Sequence, residues 1–145
     1  MTRSIYETEA HRKRQSEALR QYQEEHHPTC RFIETAPLEF FDAILVDAAG
    51  KQLSIWEVKS RDIGYEALMA MGGLFLSLNK YNKLATTSFF VGIPAFILLD
   101  APDGLYVRKL DGHGNKLTYG GREDRDDPKD KELCVLLKGF ERAGP

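Results

Sequence analysis

Residues 38–59 form two short apolar segments around a turn, and this pattern constrains the fold more than any other part of the chain. Both segments are rich in Phe, Ile, Leu, Val and Trp, and small residues at 48–50 separate them. This arrangement is typical of a β-hairpin. Both faces of the two segments are apolar, which is typical of strands that are covered on two sides. We therefore expect a sheet that lies between other elements.

The loop of this hairpin decides which residues face each other. If Asp47 pairs with Gln52, the same register places Asp42 opposite Glu57. Directly opposed side chains have Cβ atoms roughly 4.5–5.5 Å apart, and two carboxylates this close repel each other unless a proton or a cation lies between them. A loop of three or five residues would place Asp42 on the other face unless a bulge corrected the register.

Lys59 adds a base to this acid pair. Because side chains alternate along a strand, Glu57 and Lys59 lie on one face, and Lys59 falls one step from Asp42. A hard cation such as Mg²⁺ suits two convergent carboxylates. The pattern therefore predicts a divalent-metal site in which Asp42, Glu57 and the carbonyl of Val58 hold the metal and Lys59 assists an attacking water.

The short string of an acid, any residue and a lysine is weak by itself. Asp127-Pro128-Lys129 has the same form within the charged run 122–132, which contains proline and has no strand character. The string at Glu57 differs because it ends an apolar strand, where charged groups lose hydration at a cost in free energy. Charged residues that served only solubility would lie at exposed positions and avoid this cost.

The pattern resembles the PD-(D/E)xK nuclease superfamily. Asp42 corresponds to the first acid of that family, Glu57 to the second and Lys59 to the lysine, and Trp56, Val58 and Ser60-Arg61 suit the flanking positions. The resemblance implies an α/β fold with an αβββαβ core over about residues 5–110 and a mixed central sheet flanked by helices.

Three features depart from the family pattern, and one of them is that no Gln stands out in the second helix at the position that some members use near the site. Phe41 occupies a position where proline is common, although many active members also lack that proline. The family also uses a glutamate from its first helix, and here Glu17 and Glu25 are both candidates, so this ligand stays unassigned.

The resemblance implies a metal-dependent endo- or exodeoxyribonuclease that uses Mg²⁺ or Mn²⁺ in phage or bacterial DNA processing. A second hypothesis is a catalytically silent module of the same fold, which binds nucleic acid or a partner protein. A third is a structural ion-pair cluster in a protein of unrelated function. The sequence does not distinguish linear, single-stranded, branched or RNA substrates.

Composition is that of a single soluble domain. The chain has 145 residues, of which 42% are hydrophobic and 29% charged, and no run approaches the ~18 apolar residues of a membrane span. We therefore expect a cytoplasmic protein without a membrane partner. Cys30 and Cys134 are far apart in sequence and fit neither a zinc site nor a disulfide framework.

The net charge of the chain bears on the prediction that DNA is the partner. The net charge of −2 does not favour tight non-specific phosphate binding. A limited set of basic residues near the site could supply a local track: Arg61, Lys80, Lys83, Arg108 and Lys109. A second copy of the chain is one way for such a small protein to engage both strands of a duplex, and a homo-oligomer is therefore a hypothesis.

The rest of the chain divides into further predicted elements. Hydrophobic periodicity and turn signals give the following ranges: a polar helix over 4–26, a strand over 29–36, a helix over 62–83, a hairpin of strands 88–100 and 104–110, a mobile loop over 111–131 and a final strand over 132–138.

Overall fold

A six-stranded mixed sheet forms the centre of the computed structural model, which describes residues 9–35, 41–111, 116–121 and 131–143. The elements in these ranges are α1 (Glu9–His26), β1 (Arg31–Glu34), β2 (Ala43–Val46), β3 (Gln52–Ser60), α2 (Tyr65–Ala70), β4 (Leu74–Ser77), α3 (Leu78–Val91), β5 (Ala95–Ala101), β6 (Gly104–Lys109), β7 (Lys116–Gly121), β8 (Lys131–Leu137) and β9 (Glu141–Ala143). Within the described ranges, no helix is both long and apolar enough to cross a bilayer.

The strand order of the central sheet is β1-β2-β3-β5-β6-β9, and β4, β8 and β7 form a second sheet in that order. β3 and β5 are parallel, whereas the other neighbours in the central sheet are antiparallel. A parallel pair needs a crossover connection, and α2, β4 and α3 provide it. The predicted mixed central sheet with flanking helices is confirmed.

Alternation along β3 and β5 creates two apolar clusters on opposite faces of the sheet. Trp56 and Leu98 belong to the cluster on the face that α1 covers. In this cluster Trp56 stacks on Phe96 with ring centroids 4.8 Å apart. Ile55 and Ile97 belong to the cluster beneath α2 and α3. Each fully buried apolar side chain contributes roughly 1.5–3 kcal/mol. Glu57 shares a face with Ile55 and is therefore an acid in an apolar layer.

The hairpin of β2 and β3 has the predicted register at the end that carries the acids. Its opposed pairs are Ala43 with Trp56, Ile44 with Ile55 and Leu45 with Ser54. The loop is longer than predicted, because Val46 rather than Asp47 pairs with Gln52, and an irregularity between Leu45 and Val46 restores the register. Asp47 holds this loop, since its Oδ1 accepts hydrogen bonds from the amides of Ala49 and Lys51 at 2.9 and 2.8 Å.

The helix predicted over 62–83 is wrong. Gly72 and Gly73 have φ values of 118° and 114°, which end α2 and turn the chain into β4. A Cβ atom at Gly73 would lie 2.5 Å from the carbonyl oxygen of Leu137, so the chain passes very close to β8 there. Burial alternates along β4, with Leu74 buried and Phe75 exposed, which is a strand pattern inside the predicted helix.

The C-terminal predictions also need correction. Residues 88–91 belong to α3, which ends at Gly92 with a left-handed φ of 78°, so the strand predicted over 88–100 begins only at Ala95. Residues 116–121 of the predicted mobile loop form β7, which pairs with β8. The strand predicted over 132–138 is not the final one, because β9 follows it and pairs with β6. Residues 112–115 and 122–130 lie outside the described residues.

Candidate active site

The two predicted acids meet where β2 begins beside β3. The amide of Asp42 donates a hydrogen bond to the carbonyl oxygen of Trp56 at 2.8 Å. Asp42 Oδ2 accepts a hydrogen bond of 2.7 Å from the amide of Val58. The Asp42 side chain therefore bonds the β3 backbone one residue beyond Glu57, and the structure brings these two residues together as the register predicted.

The environment of Asp42 disfavours its charged form. Burial and, next in size, the nearby negative charge of Glu57 together raise the pKa of Asp42 from its ordinary value of 3.8 to about 7. The Val58 amide and the Lys59 ammonium act in the opposite direction but are weaker. Two acids held this close in a buried site have a high affinity for a proton or a metal ion.

Among the described residues, Glu57 is the charged side chain that is buried. It is 2% exposed, and two ammonium groups approach the same oxygen, Oε2. Lys59 Nζ lies 3.8 Å from this oxygen, and Lys80 Nζ lies 3.4 Å from it. The other oxygen, Oε1, is buried and has no hydrogen-bond partner among the nitrogen and hydroxyl donors of the described residues, and a protonated Asp42 can donate a hydrogen bond to the Glu57 carboxylate. A buried acceptor without a partner costs about 1–3 kcal/mol, and more when it is charged.

The donor set fits a hard divalent cation that keeps water or substrate oxygens. Mg²⁺ is usually bound through one or two carboxylates together with waters and phosphates. Asp42 and Glu57 provide two carboxylates, and Oε1 of Glu57 has a lone pair that can coordinate a metal ion. The described ranges contain no cluster of three or more His, Cys, Asp or Glu that could hold a metal alone. Within these ranges, no third side chain of these four types joins Asp42 and Glu57.

The carbonyl of Val58, the third predicted metal ligand, faces the same side of β3 as its amide. The amide and carbonyl of one strand residue point toward the same neighbouring strand. Because the Val58 amide bonds Asp42, the carbonyl also lies on the Asp42 side. Its position is consistent with the predicted role.

The glutamates of the first helix lie elsewhere. Glu17 is exposed and forms an ion pair of 2.8 Å with Arg20, which lowers the pKa of Glu17. Glu25 lies 4.0 Å from His26. The helix packs through Ala18, Leu19 and Tyr22 on the face of the sheet opposite Glu57. Neither candidate glutamate joins the site, and Asp127-Pro128-Lys129 lies outside the described residues.

Lys80 is the site residue that the sequence did not single out. It was expected only as one of several basic residues near the site, yet it comes closer to Glu57 than Lys59 does. A local signal existed, because Ser77 caps α3 and Lys80 then falls in the first turn, where acids are preferred. The start of α3 was not recognised in the sequence, so this signal could not be used.

The other predicted basic residues differ in their contacts. Arg61 is half-buried, and burial lowers the pKa of its guanidinium. Arg108 Nε donates a hydrogen bond of 2.6 Å to the carbonyl of Lys138 and so takes part in the fold. A further cation, Arg14 from α1, bonds Asp100 at 3.0 Å and Asp62 at 2.9 Å, and this anchors α1 to β5 and to the segment that follows β3.

Comparison with known proteins gives a family match along almost the whole chain. A family model described as "Phage putative PDDEXK endonuclease" matches residues 1–143. Among solved structures, the chain is similar to a Holliday junction resolvase of the hyperthermophilic archaeon Archaeoglobus fulgidus, with 16% identity and a TM-score of 0.49 over 81% of this chain and 85% of that chain. No curated protein matches the sequence.

Proposed function

Because this chain belongs to the phage PDDEXK endonuclease family, we propose that it hydrolyses phosphodiester bonds of DNA with a divalent metal, Mg²⁺ or Mn²⁺. Asp42 and Glu57 hold the metal together with the carbonyl of Val58, and Lys59 assists the attacking water. The family model covers all of these residues. The nuclease class follows from the family, and the assignment of roles is our proposal.

One observation carries this assignment. Glu57 Oε1 is buried without a hydrogen-bond partner beside a second carboxyl group whose pKa is raised to about 7. A site that served only to stabilise the fold would satisfy this oxygen, because a buried acceptor without a hydrogen bond is costly. The missing hydrogen bond at Oε1 is explained if this oxygen binds a metal ion in the working enzyme.

Each side chain then has a distinct task. A bound divalent metal supplies Lewis acidity, lowering the pKa of a bound water and polarising the scissile phosphate. Asp42, directly before β2, and Glu57 of β3 would hold it. Lys59 presents a compact positive charge at the rim, with 30% of its side chain exposed, where it orients the water and neutralises charge that develops on the phosphate.

A cleavage assay tests the proposal. Labelled linear duplex, single-stranded, forked and four-way-junction DNA, with RNA alongside, are incubated with Mg²⁺ or Mn²⁺ and with EDTA. We expect metal-dependent cutting of at least one DNA form that EDTA stops. Asp42→Ala and Glu57→Ala should abolish cutting while the fold, measured by circular dichroism, is retained.

Glu17→Ala is the matched control, because it removes an exposed carboxylate of α1 outside the site and should cut at the wild-type rate. If Asp42→Ala, Glu57→Ala and Lys59→Ala all cut as fast as the wild type, the assignment of roles is wrong. If the wild type shifts DNA in a gel but never cuts it, the silent binding module is the better description.

A further inference from the structure

Lys80 gives the active centre a second ammonium group. Its Nζ lies 3.4 Å from Glu57 Oε2, compared with 3.8 Å for Lys59, and its side chain is 14% exposed, compared with 30%. Both cations therefore approach one oxygen of the carboxylate and leave Oε1 without a partner. This asymmetric arrangement neutralises Glu57 without covering the oxygen that a metal would use.

The position of Lys80 in its helix is locally unfavourable. Lys80 lies in the first turn of α3, where Ser77 caps the helix by accepting a hydrogen bond of 3.0 Å from the Lys80 amide. The helix dipole disfavours a cation at this end, and the first turn contains no acid to offset it. Violations of a local rule concentrate at functional sites. The carboxylate of Glu57, 3.4 Å from the ammonium, offsets the unfavourable position of Lys80.

A rigid element delivers Lys80 to the site. α3 follows β4 without a break, and β4 is paired with β8 along Leu74–Ser77. The Ser77 cap fixes the helix start, and Leu84 buries the next turn in the core. The ammonium therefore belongs to the preformed site and not to a loose surface.

We propose that Lys80, a positioning residue that acts through Glu57, makes metal binding depend on DNA. In the free protein the two carboxyl groups carry at most two negative charges, and the ammonium groups of Lys59 and Lys80 both lie within 4 Å of Glu57 Oε2. A divalent cation adds two positive charges beside these ammonium groups, so it binds weakly alone. The phosphodiester groups of DNA supply the missing negative charge, attract the ammonium groups and so favour the metal. This inference rests on the proposed function.

Calorimetry of Mn²⁺ binding to the whole chain tests the inference, with and without a DNA duplex whose phosphorothioate linkages keep the charge but are cut slowly. The variants are Lys80→Met and Lys80→Gln, which remove the charge, and Lys80→Arg, which keeps it. Lys51→Met is the matched control for net charge, because Lys51 precedes β3 and lies six residues from Glu57, roughly 20 Å along the strand.

In the absence of DNA, we expect Lys80→Met to bind Mn²⁺ at least about tenfold more tightly than the wild type, and DNA to add less affinity than it adds to the wild type. Lys80→Arg and Lys51→Met should resemble the wild type. Lys80→Gln keeps a hydrogen-bond donor near Glu57 and should repeat the result if the methionine variant folds poorly.

Equal or weaker Mn²⁺ binding by both neutral variants overturns the role of Lys80, even if the wild type binds Mn²⁺ together with DNA. Tighter binding by Lys51→Met to the same extent also overturns it, because the effect would then come from net charge alone. A wild type that binds no Mn²⁺ under either condition overturns the metal assignment of Asp42 and Glu57 as well, which separates the two failures.

Discussion

Replacing Asp42 with asparagine should stabilise the metal-free protein at neutral and alkaline pH, although it removes a proposed metal ligand. Burial and the charge of Glu57 raise the pKa of Asp42 to about 7. The folded protein therefore keeps a proton at Asp42 over a pH range in which the unfolded chain has released it. Above that range the fold contains two close negative charges. Asparagine keeps an acceptor for the Val58 amide and can donate to Glu57, but it carries no charge.

The sign and the size of the effect follow from the pKa. Stability changes with pH according to the protons bound by the unfolded and folded states, so a raised folded-state pKa makes stability fall as pH rises from about 4 to about 7. The rise from 3.8 to about 7 is about three pH units, and one unit is worth about 1.36 kcal/mol. The upper limit is therefore about 4 kcal/mol. Relaxation and solvent reduce it, and we expect a gain of about 1–3 kcal/mol at pH 8 and little at pH 4.

Thermal unfolding in EDTA, followed by circular dichroism, measures this gain as a Tm increase of about 3–10 °C at pH 8. Asp47→Asn is the matched control, because Asp47 lies in the same hairpin and its carboxylate accepts two amide hydrogen bonds. This control should be unchanged or less stable at both pH values. Saturating Mn²⁺ should then raise the Tm of the wild type but not that of Asp42→Asn, because only a folded state that binds the metal gains from it.

A Tm of Asp42→Asn at pH 8 that equals or lies below the wild-type value would refute the reasoning, provided that the variant folds normally at pH 4. That result would mean that the two carboxyl groups do not repel each other in the free protein. The argument for a metal between them would then lose its physical basis.

Three further predictions concern single residues. Lys59→Ala should lower kcat by about 100-fold or more in a cleavage assay while Mn²⁺ affinity in calorimetry is not weakened, because its role is in the reaction step. Gly73→Ala should lower the free energy of unfolding by about 2–4 kcal/mol in urea titration, because the added Cβ would lie 2.5 Å from the carbonyl oxygen of Leu137. Gly92→Ala has open space around the added Cβ and should lower the free energy of unfolding by about 1 kcal/mol. Ser77→Ala should cost about 1 kcal/mol in the same titration, because it removes the cap of α3.

The acid pair was predictable because its geometry depends on local rules. The side chains of a strand alternate, the apolar pattern fixes which face is buried, and the turn residues mark the hairpin. The loop length was not predictable to one residue, since Asp47 organises a five-residue connection through its own side chain. The bulge between Leu45 and Val46 compensates for the odd length, so Asp42 still reaches Glu57. The core register was therefore more reliable than the turn from which it was inferred.

The segment between β3 and β5 was not predictable in the same way. Tyr65, Leu68, Met69 and Leu76 fit a helical stripe, and the alternation of β4 occupies only the four residues 74–77. The partner that makes this segment a strand is β8, more than fifty residues later in the chain. A pairing at such a distance leaves no periodic signal near the strand itself. Gly72 and Gly73 were the local indication, because two adjacent glycines weaken a helix and permit positive φ.

The presence of β4 also explains why the sequence did not single out Lys80 as a residue of the active centre. A single helix over 62–83 would end near Lys80, which would then lie at the dipole-favourable end of a helix and need no further explanation. With β4 in place, α3 begins at Leu78, and the same lysine lies in the first turn, at the unfavourable end, 3.4 Å from Glu57. The change from one helix to helix, strand and helix thus converts an ordinary surface lysine into part of the charge balance at Glu57.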